Sequence, residues 1–83
     1  MRTADDLKTI LNDVLSLEGR AGGFVADTPL LGAIPELDSM AVVSLITAIE
    51  DHFGVAIADD EIDGSVFATF GSLLGFVEQA VAR

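Results

Sequence analysis

The segment from Ser39 to Phe53 contains neither glycine nor proline and is followed directly by Gly54. Apolar residues within it fall on one side of a helix when successive residues are placed about 100° apart. The stripe consists of Val42, Leu45, Ile46, Ile49 and Phe53. The pattern predicts one amphipathic helix over residues 39–53 that ends at the glycine, a residue favoured just after a helix.

Two further segments repeat apolar residues at helical spacing. The first runs from Ala4 to Leu15, with Thr3 as the expected cap and Gly19 as the expected stop. The second follows Thr69, and glycines at positions 71 and 75 weaken it locally. Its apolar side consists of Phe70, Leu73, Leu74, Val77 and Val81. No segment alternates at period two for long enough to predict a sheet.

Residues 18–38 contain several glycines and prolines and therefore predict a long connection between the first two helices. A featureless loop of this length is uncommon in a compact domain. The segment has apolar residues that can anchor it to a helical core, and we expect an ordered, packed loop. These anchors are Phe24, Val25, Leu30, Leu31, Ile34 and Leu37.

Four acidic residues, Asp59, Asp60, Glu61 and Asp63, precede Gly64 and predict a short helix or turn. Together with Glu50 or Asp51 they offer oxygen ligands for a divalent cation, but the EF-hand pattern is absent. We favour a solvated acidic turn and expect no metal. The fold class expected is all-α: a small four-helix bundle of three main helices and one short helix, forming a single domain over residues 1–83.

Composition excludes several classes of function. The chain has 83 residues and a formal net charge of −10, which disfavours nucleic acid and acidic membranes as partners. It has no cysteine, so disulfides, thiolate metal sites and cysteine nucleophiles are excluded. Neither a secretory signal nor an apolar run of about 20 residues is present. We expect a cytoplasmic monomer with no stable membrane insertion.

The loop delivers Ser39 to the first turn of the second helix, directly after Asp38, which is a favourable N-cap. Backbone N–H groups and the helix dipole favour an anion at this position. Ser39 therefore suits phosphorylation or attachment of a phosphate-linked group. From these residues alone, plain helix capping remains an alternative.

Five segments, in order along nearly the whole chain, resemble acyl carrier proteins and the related peptidyl carrier domains. They are Asp27-Thr28-Pro29-Leu30, Leu37-Asp38-Ser39-Met40, residues 45–57 with the ending Phe53-Gly54-Val55-Ala56-Ile57, Asp59-Asp60-Glu61, and Thr69-Phe70-Gly71-Ser72-Leu73. The resemblance implies that Ser39 carries 4′-phosphopantetheine, transferred from coenzyme A by a phosphopantetheinyl transferase that recognises Asp38 and the second helix. The thiol of that arm would hold acyl or aminoacyl groups as thioesters. The chain itself would have no catalytic residue and would not be an enzyme.

Three departures from the fatty-acid-synthesis carriers narrow this expectation. Met40 replaces a leucine, the segment between Gly32 and Asp38 is longer, and Ala41 and Ser44 occupy positions that are often acidic in those carriers. These differences favour a dedicated pathway, with an acyl-activating ligase for loading and acyl-transferring or condensing enzymes as further partners. The residues predicted to dock these partners are Glu36, Met40, Val43, Ser44, Thr47, Glu50 and Asp51.

Other interpretations remain to be weighed. A small acidic helical adaptor without cofactor is the alternative function. Hydrolysis is disfavoured because His52, the only histidine, would lie about 20 Å from Ser39 along the helix. A cluster of apolar residues near the carboxyl terminus could shelter an acyl chain, although ordinary core packing is the simpler interpretation. The cluster consists of Phe67, Phe70, Leu73, Leu74 and Phe76.

Overall fold

The computed structural model describes residues 3–82, except for the side chain of Asp59, and three α-helices make up most of this part of the chain. They are α1 (Thr3–Leu15), α2 (Ser39–Phe53) and α3 (Phe70–Ala82), with 3₁₀ helices at Arg20–Gly23 and Asp59–Glu61. No β-strand occurs between residues 3 and 82; a single antiparallel bridge joins Pro29 to Thr69. The predicted all-α class is confirmed, and the expected fourth helix is one turn of 3₁₀ helix.

Helix α2 begins and ends where the sequence predicts. The Asp38 carboxylate accepts the backbone N–H of Ala41 at 2.8 Å, which satisfies one of the helix's unpaired donors. At the other end Gly54 adopts φ 67°, and the N–H groups of Gly54 and Val55 both donate to the Glu50 carbonyl. A left-handed residue with this bonding is a common way to end a helix.

Both predicted boundary residues of α1 are wrong. Thr3 already belongs to the helix, so it is not the cap. It ends at Leu15, well before Gly19, because Ser16 takes a positive φ of 54° and the Leu17 N–H donates to the Asn12 carbonyl at 3.0 Å. Serine can adopt this left-handed conformation but does so less readily than glycine, so the sequence gives only a weak indication of this end.

The core lies where α1 packs against both α2 and α3. Each helix contributes aliphatic side chains from one face, and removing them from water supplies the main driving force for folding. The fully buried residues from the three helices are Leu7, Leu11, Leu45, Ile49, Leu73 and Val77. None of the helices within residues 3–82 is long and apolar enough to cross a bilayer.

The long connection between α1 and α2 is ordered, as predicted, because it is paired with the segment that precedes α3. The Leu30 and Leu31 N–H groups donate to the Ala68 and Phe67 carbonyls at 3.0 and 2.9 Å. Leu30 and Leu37 are buried and Phe24 and Ile34 are half-buried. Two predicted anchors are wrong: Val25 and Leu31 are 63% and 47% exposed. For Leu31 it is the backbone, rather than the side chain, that fixes the loop.

A second contact holds the loop to the start of α3. The Phe70 N–H donates to the Thr28 carbonyl at 2.8 Å, and the Gly71 N–H donates to the Ala26 carbonyl at 2.9 Å. A Cβ at Gly71 would lie 2.8 Å from that same carbonyl oxygen, so only glycine permits the approach. A glycine at this position weakens α3 locally, as expected, but it is also required for the loop to pack this closely against the helix.

Candidate functional site

Ser39 is the first residue of α2 and is exposed. Its neighbour Asp38 is fixed because the carboxylate is engaged in capping the helix through the Ala41 N–H. The Ser39 hydroxyl has no hydrogen-bond partner among residues 3–82. The side chain is therefore available for reaction without breaking any interaction that stabilises the fold.

The start of α2 also presents unpaired backbone donors. Asp38 donates its N–H to the Glu36 carbonyl, and the Ala41 N–H is bonded to the Asp38 carboxylate. The N–H groups of Ser39 and Met40 have no acceptor in the part of the chain that the structure describes. Two free donors at the positive end of the helix dipole fit a phosphate on the Ser39 hydroxyl. This position therefore suits the phosphodiester of a phosphopantetheine arm.

The outer face of α2, which we define as Met40, Val43, Ser44, Thr47 and Asp51, is exposed throughout. Met40 and Val43 are 76% and 64% exposed, so this face presents two large apolar side chains to solvent three residues apart on the helix. Ala41 and Ser44 both occupy positions that are often acidic in fatty-acid-synthesis carriers, but Ala41 does not lie on this outer face. It is half-buried against the core, because its position on the helix faces inward more than outward.

Two predicted docking residues have carboxylates that are already engaged. Glu36 Oε2 accepts the Arg20 guanidinium at 2.5 Å. A hydrogen bond from its own backbone N–H and the one from Arg20 hold the pKa of the Glu36 carboxyl below its ordinary value. Glu50 is half-buried, and its Oε2 accepts the Ile57 N–H at 2.8 Å. Glu50 therefore fixes the segment after α2, a role that the sequence analysis did not predict.

An open groove of about 320 Å³ runs between α2 and the segment that includes the second 3₁₀ helix. It begins one turn after Ser39, and most of its lining is aliphatic. The lining residues are Val42, Val43, Ile46, Thr47, Glu50, Ile57 and Ile62. The volume is at the lower end of the range found for small-molecule sites, about 300–1,000 Å³.

The apolar cluster near the carboxyl terminus, which the sequence suggested as a shelter for an acyl chain, does not line this groove. Phe67, Phe70 and Leu73 are buried in the core, and Leu74 and Phe76 pack against it half-buried. Ordinary core packing is thus the role that the structure gives these residues.

A second groove, of about 380 Å³, lies between α1 and α2 and includes Asp51 and His52 in its lining. His52 Nε2 lies 3.7 Å from the Asp6 carboxylate, on the side of α2 that faces α1. His52 is therefore associated with the α1–α2 packing.

In the acidic turn, Glu61 and Asp63 use their carboxylates locally. Glu61 Oε2 accepts the Ala58 N–H at 2.9 Å. Asp63 accepts the Ser65 hydroxyl and the Ser65 N–H, and these bonds hold the pKa of the Asp63 carboxyl below its ordinary value. Among the side chains that the structure describes, which exclude that of Asp59, no group of three or more acidic or histidine residues is arranged to hold a metal ion.

Comparison with known proteins identifies the family. A family model described as the phosphopantetheine attachment site matches residues 5–77, which is most of the chain. The chain belongs to this family. Its cofactor is covalently bound 4′-phosphopantetheine, and its function is that of an acyl carrier. The alternative of an adaptor without cofactor is therefore rejected.

A solved structure supports the same conclusion. The solution NMR structure of a holo acyl carrier protein from Nitrosomonas europaea is similar to this chain, with a TM-score of 0.90 and 47% sequence identity. The similarity covers 100% of both chains. Proteins of this kind carry acyl groups and are not themselves enzymes.

The sequence analysis missed Arg20, whose pairing with Glu36 lies close to the start of α2. A usable indication was present. The chain has only four lysines and arginines, and Arg20 is the only one between Lys8 and Arg83. In a chain with 14 acidic residues, a single basic residue inside a loop has many potential partners, so its position can be read as a candidate ion pair.

Proposed function

We propose that this chain is an acyl carrier protein whose phosphopantetheine arm is joined to the Ser39 hydroxyl oxygen. The observation that carries the proposal is the position of Ser39 in a member of this family. Its hydroxyl is exposed and unpaired, beside two free N–H groups at the start of α2. In the transfer, the Ser39 oxygen would bond to the phosphorus of the pantetheine-linked phosphate of coenzyme A. The adenosine 3′,5′-bisphosphate would leave, and the serine proton would pass to the transferase or to water.

The chain has no cysteine, so the thiol at the end of the arm would be the only thiol on the loaded protein. Acyl or aminoacyl groups would be held there as thioesters and delivered to other enzymes. Asp38 would contribute by holding the start of α2 in place, through its bond to the Ala41 N–H, while the transferase binds. We assign the chain a carrier role with no catalytic residue of its own.

The proposed partners are a phosphopantetheinyl transferase, an acyl-activating ligase, and acyl-transferring or condensing enzymes, encountered by a monomer in the cytoplasm. They would dock on the outer face of α2, where Met40 and Val43 offer apolar contact and Asp51 offers charge. Glu36 and Glu50 would contribute less than free carboxylates, because each already accepts a hydrogen bond within the chain.

The groove between α2 and the segment with the second 3₁₀ helix could hold an apolar acyl group. Its aliphatic lining begins one turn along α2 from the attachment position, and a flexible arm could return the acyl group into it. We therefore propose that the acyl chain is sheltered in this groove and not in the apolar cluster near the carboxyl terminus. The groove residues concerned are Val42, Ile46, Ile57 and Ile62.

We further propose that the chain serves a dedicated pathway and not general fatty acid synthesis. This finer proposal rests on Ser44, an exposed neutral residue at a position that is often acidic in fatty-acid-synthesis carriers. Ala41 no longer supports it, because a half-buried side chain contributes little to docking.

Mass spectrometry tests the attachment. Incubation with coenzyme A and a broad-specificity transferase should add one phosphopantetheine to the chain, and Ser39→Ala should abolish the addition. Ser65→Ala, at an exposed serine outside α2, is the matched control and should be modified as fully as the parent. Modification of Ser39→Ala would contradict the assignment. Both variants should fold normally, since neither hydroxyl packs in the core.

A further inference from the structure

Two basic residues, Lys8 and Arg20, lie within the described residues, and both have contacts inside the fold. Lys8 Nζ lies 3.4 Å from the Gly22 carbonyl oxygen and 5.7 Å from the centre of the Phe70 ring. Arg20 Nη2 lies 2.5 Å from Glu36 Oε2. Of these two residues, only Arg20 neutralises a carboxylate close to the proposed attachment position.

The backbone around Arg20 is fixed by a chain of hydrogen bonds that starts in α1. Asn12 accepts two N–H groups, that of Leu17 at its carbonyl and that of Ala21 at its side-chain oxygen, both at 3.0 Å. The Arg20 Nε–H in turn donates to the Leu17 carbonyl at 3.1 Å. The guanidinium is thus presented towards Glu36 by a local structure that does not depend on the ion pair.

Glu36 lies two residues before the cap of α2, and its carbonyl accepts the Asp38 N–H at 3.2 Å. The pair with Arg20 is open to water, since the two side chains are 58% and 37% exposed. An ion pair this exposed is weak and exchanges readily with another cation. Glu36 can therefore meet an incoming basic side chain only in competition with Arg20.

We propose that Arg20 is a specificity-determining residue that competes with a basic side chain of the phosphopantetheinyl transferase for the Glu36 carboxylate. This inference rests on the proposed attachment at Ser39. Docking exchanges one ion pair for another, so the transferase gains less from Glu36 than it would from an unpaired carboxylate. Arg20 thereby lowers the affinity for a basic docking surface at the Glu36 carboxylate, two residues before the cap of α2.

The test compares Arg20→Gln with Lys8→Gln. Both variants lose one positive charge and reach a formal net charge of −11, starting from −10, but only the first releases Glu36. Steady-state modification by the transferase should show a KM about 1.5- to 5-fold lower for Arg20→Gln than for Lys8→Gln, with kcat unchanged. Arg20→Lys, which keeps the charge, should return KM towards the parent value. Equal KM values for the two glutamine variants would overturn the proposal.

A double-variant comparison assigns the effect to Glu36. Glu36→Gln should change KM little in the parent, where Arg20 occupies the carboxylate, and should cancel the gain in the Arg20→Gln background. An effect of Glu36→Gln that is the same in both backgrounds would overturn the competition. Circular dichroism of each variant checks that KM is compared between folded proteins.

An NMR titration of Glu36 tests the pairing without the transferase. Arg20→Gln should raise the pKa of Glu36, whereas Lys8→Gln should leave it unchanged, and equal values in the two variants would overturn the proposal. The titration also separates the two levels of inference. If the parent chain is not modified at Ser39 while the titration behaves as expected, the proposed attachment fails and the competition for a transferase fails with it, whereas the ion pair stands.

Discussion

Gly71 is the one glycine of the chain at which an added Cβ would meet other atoms of the fold. A Cβ there would lie 2.8 Å from the Ala26 carbonyl oxygen, and the Gly71 N–H donates to that same oxygen. Gly71→Ala should therefore separate the loop from the start of α3 and lower the free energy of unfolding by about 1–3 kcal/mol, in spite of alanine's higher helix propensity. Chemical denaturation measured by circular dichroism gives this value directly.

Gly75 provides the matched control. It lies one turn later in α3, and a Cβ there would have no atom within 4 Å. Gly75→Ala should raise the free energy of unfolding by about 0.5–1 kcal/mol, because alanine restricts the unfolded chain more and favours the helix. If the two alanine variants changed stability in the same direction, the close approach at Gly71 would not be a constraint on the fold.

The roles of residues that act on their neighbours in the sequence could be predicted. The roles of residues whose partners are brought near by folding could not. Asp38 and Gly54 cap α2 as expected, because each acts on backbone groups a few positions away. Arg20 was missed and Glu50 was misjudged as a docking residue, since their partners are brought near only by folding. These partners are Glu36 and Ile57. Hydropathy and spacing carry no information about such pairs, and for Arg20 the scarcity of basic residues was the indication available.

The outer face of α2 is an element whose charge can be changed without touching the core. Ser44→Glu adds a carboxylate at an exposed position beside Met40 and Val43. If the chain serves a dedicated pathway, this variant should improve its use by a fatty-acid-synthase transacylase several-fold at most, since an exposed charge pair contributes about 0.2–1 kcal/mol. The measurement is kcat/KM for acyl transfer to the holo protein.

Gln79→Glu is the control for total charge. This residue is exposed on α3, so the variant has the same net charge as Ser44→Glu but leaves the face of α2 unchanged. An equal gain from both variants would indicate general attraction rather than local docking. Efficient use of the parent chain, with no gain from Ser44→Glu, would contradict the dedicated pathway and leave the carrier assignment intact.

Elements differ in how well the sequence predicted them. The bounds of α2 were correct because a strong cap and a following glycine coincide with its apolar stripe. The end of α1 was wrong because Ser16 already takes a left-handed conformation, three residues before Gly19 does. The exposure of Leu31 was missed because the loop is fixed there by its N–H group, and backbone pairing between distant segments leaves no trace in the apolar pattern.

The molecule as a whole carries a formal charge of −10, and Lys8 and Arg20 lie outside α2. Association with a basic partner should therefore be steered over distances comparable to the Debye length, about 10 Å at 0.1 M salt. We expect the association rate with the transferase to fall several-fold as ionic strength rises from low to physiological values, while the dissociation rate changes little. Stopped-flow binding separates the two rates, and an association rate independent of salt would contradict docking on the acidic surface.

The backbone pairing between the loop and the segment before α3 has a consequence for how the molecule opens. Backbone hydrogen bonds join Leu30 to Ala68, Leu31 to Phe67 and Gly71 to Ala26. The segment that leads to Ser39 therefore cannot detach without breaking its bonds to the start of α3 and to the residues just before it. We expect the two regions to unfold locally as one unit, although they are far apart in sequence. The loop that leads to the proposed attachment serine is held in part by the start of the last helix, so truncation of that helix should loosen a segment in the middle of the sequence.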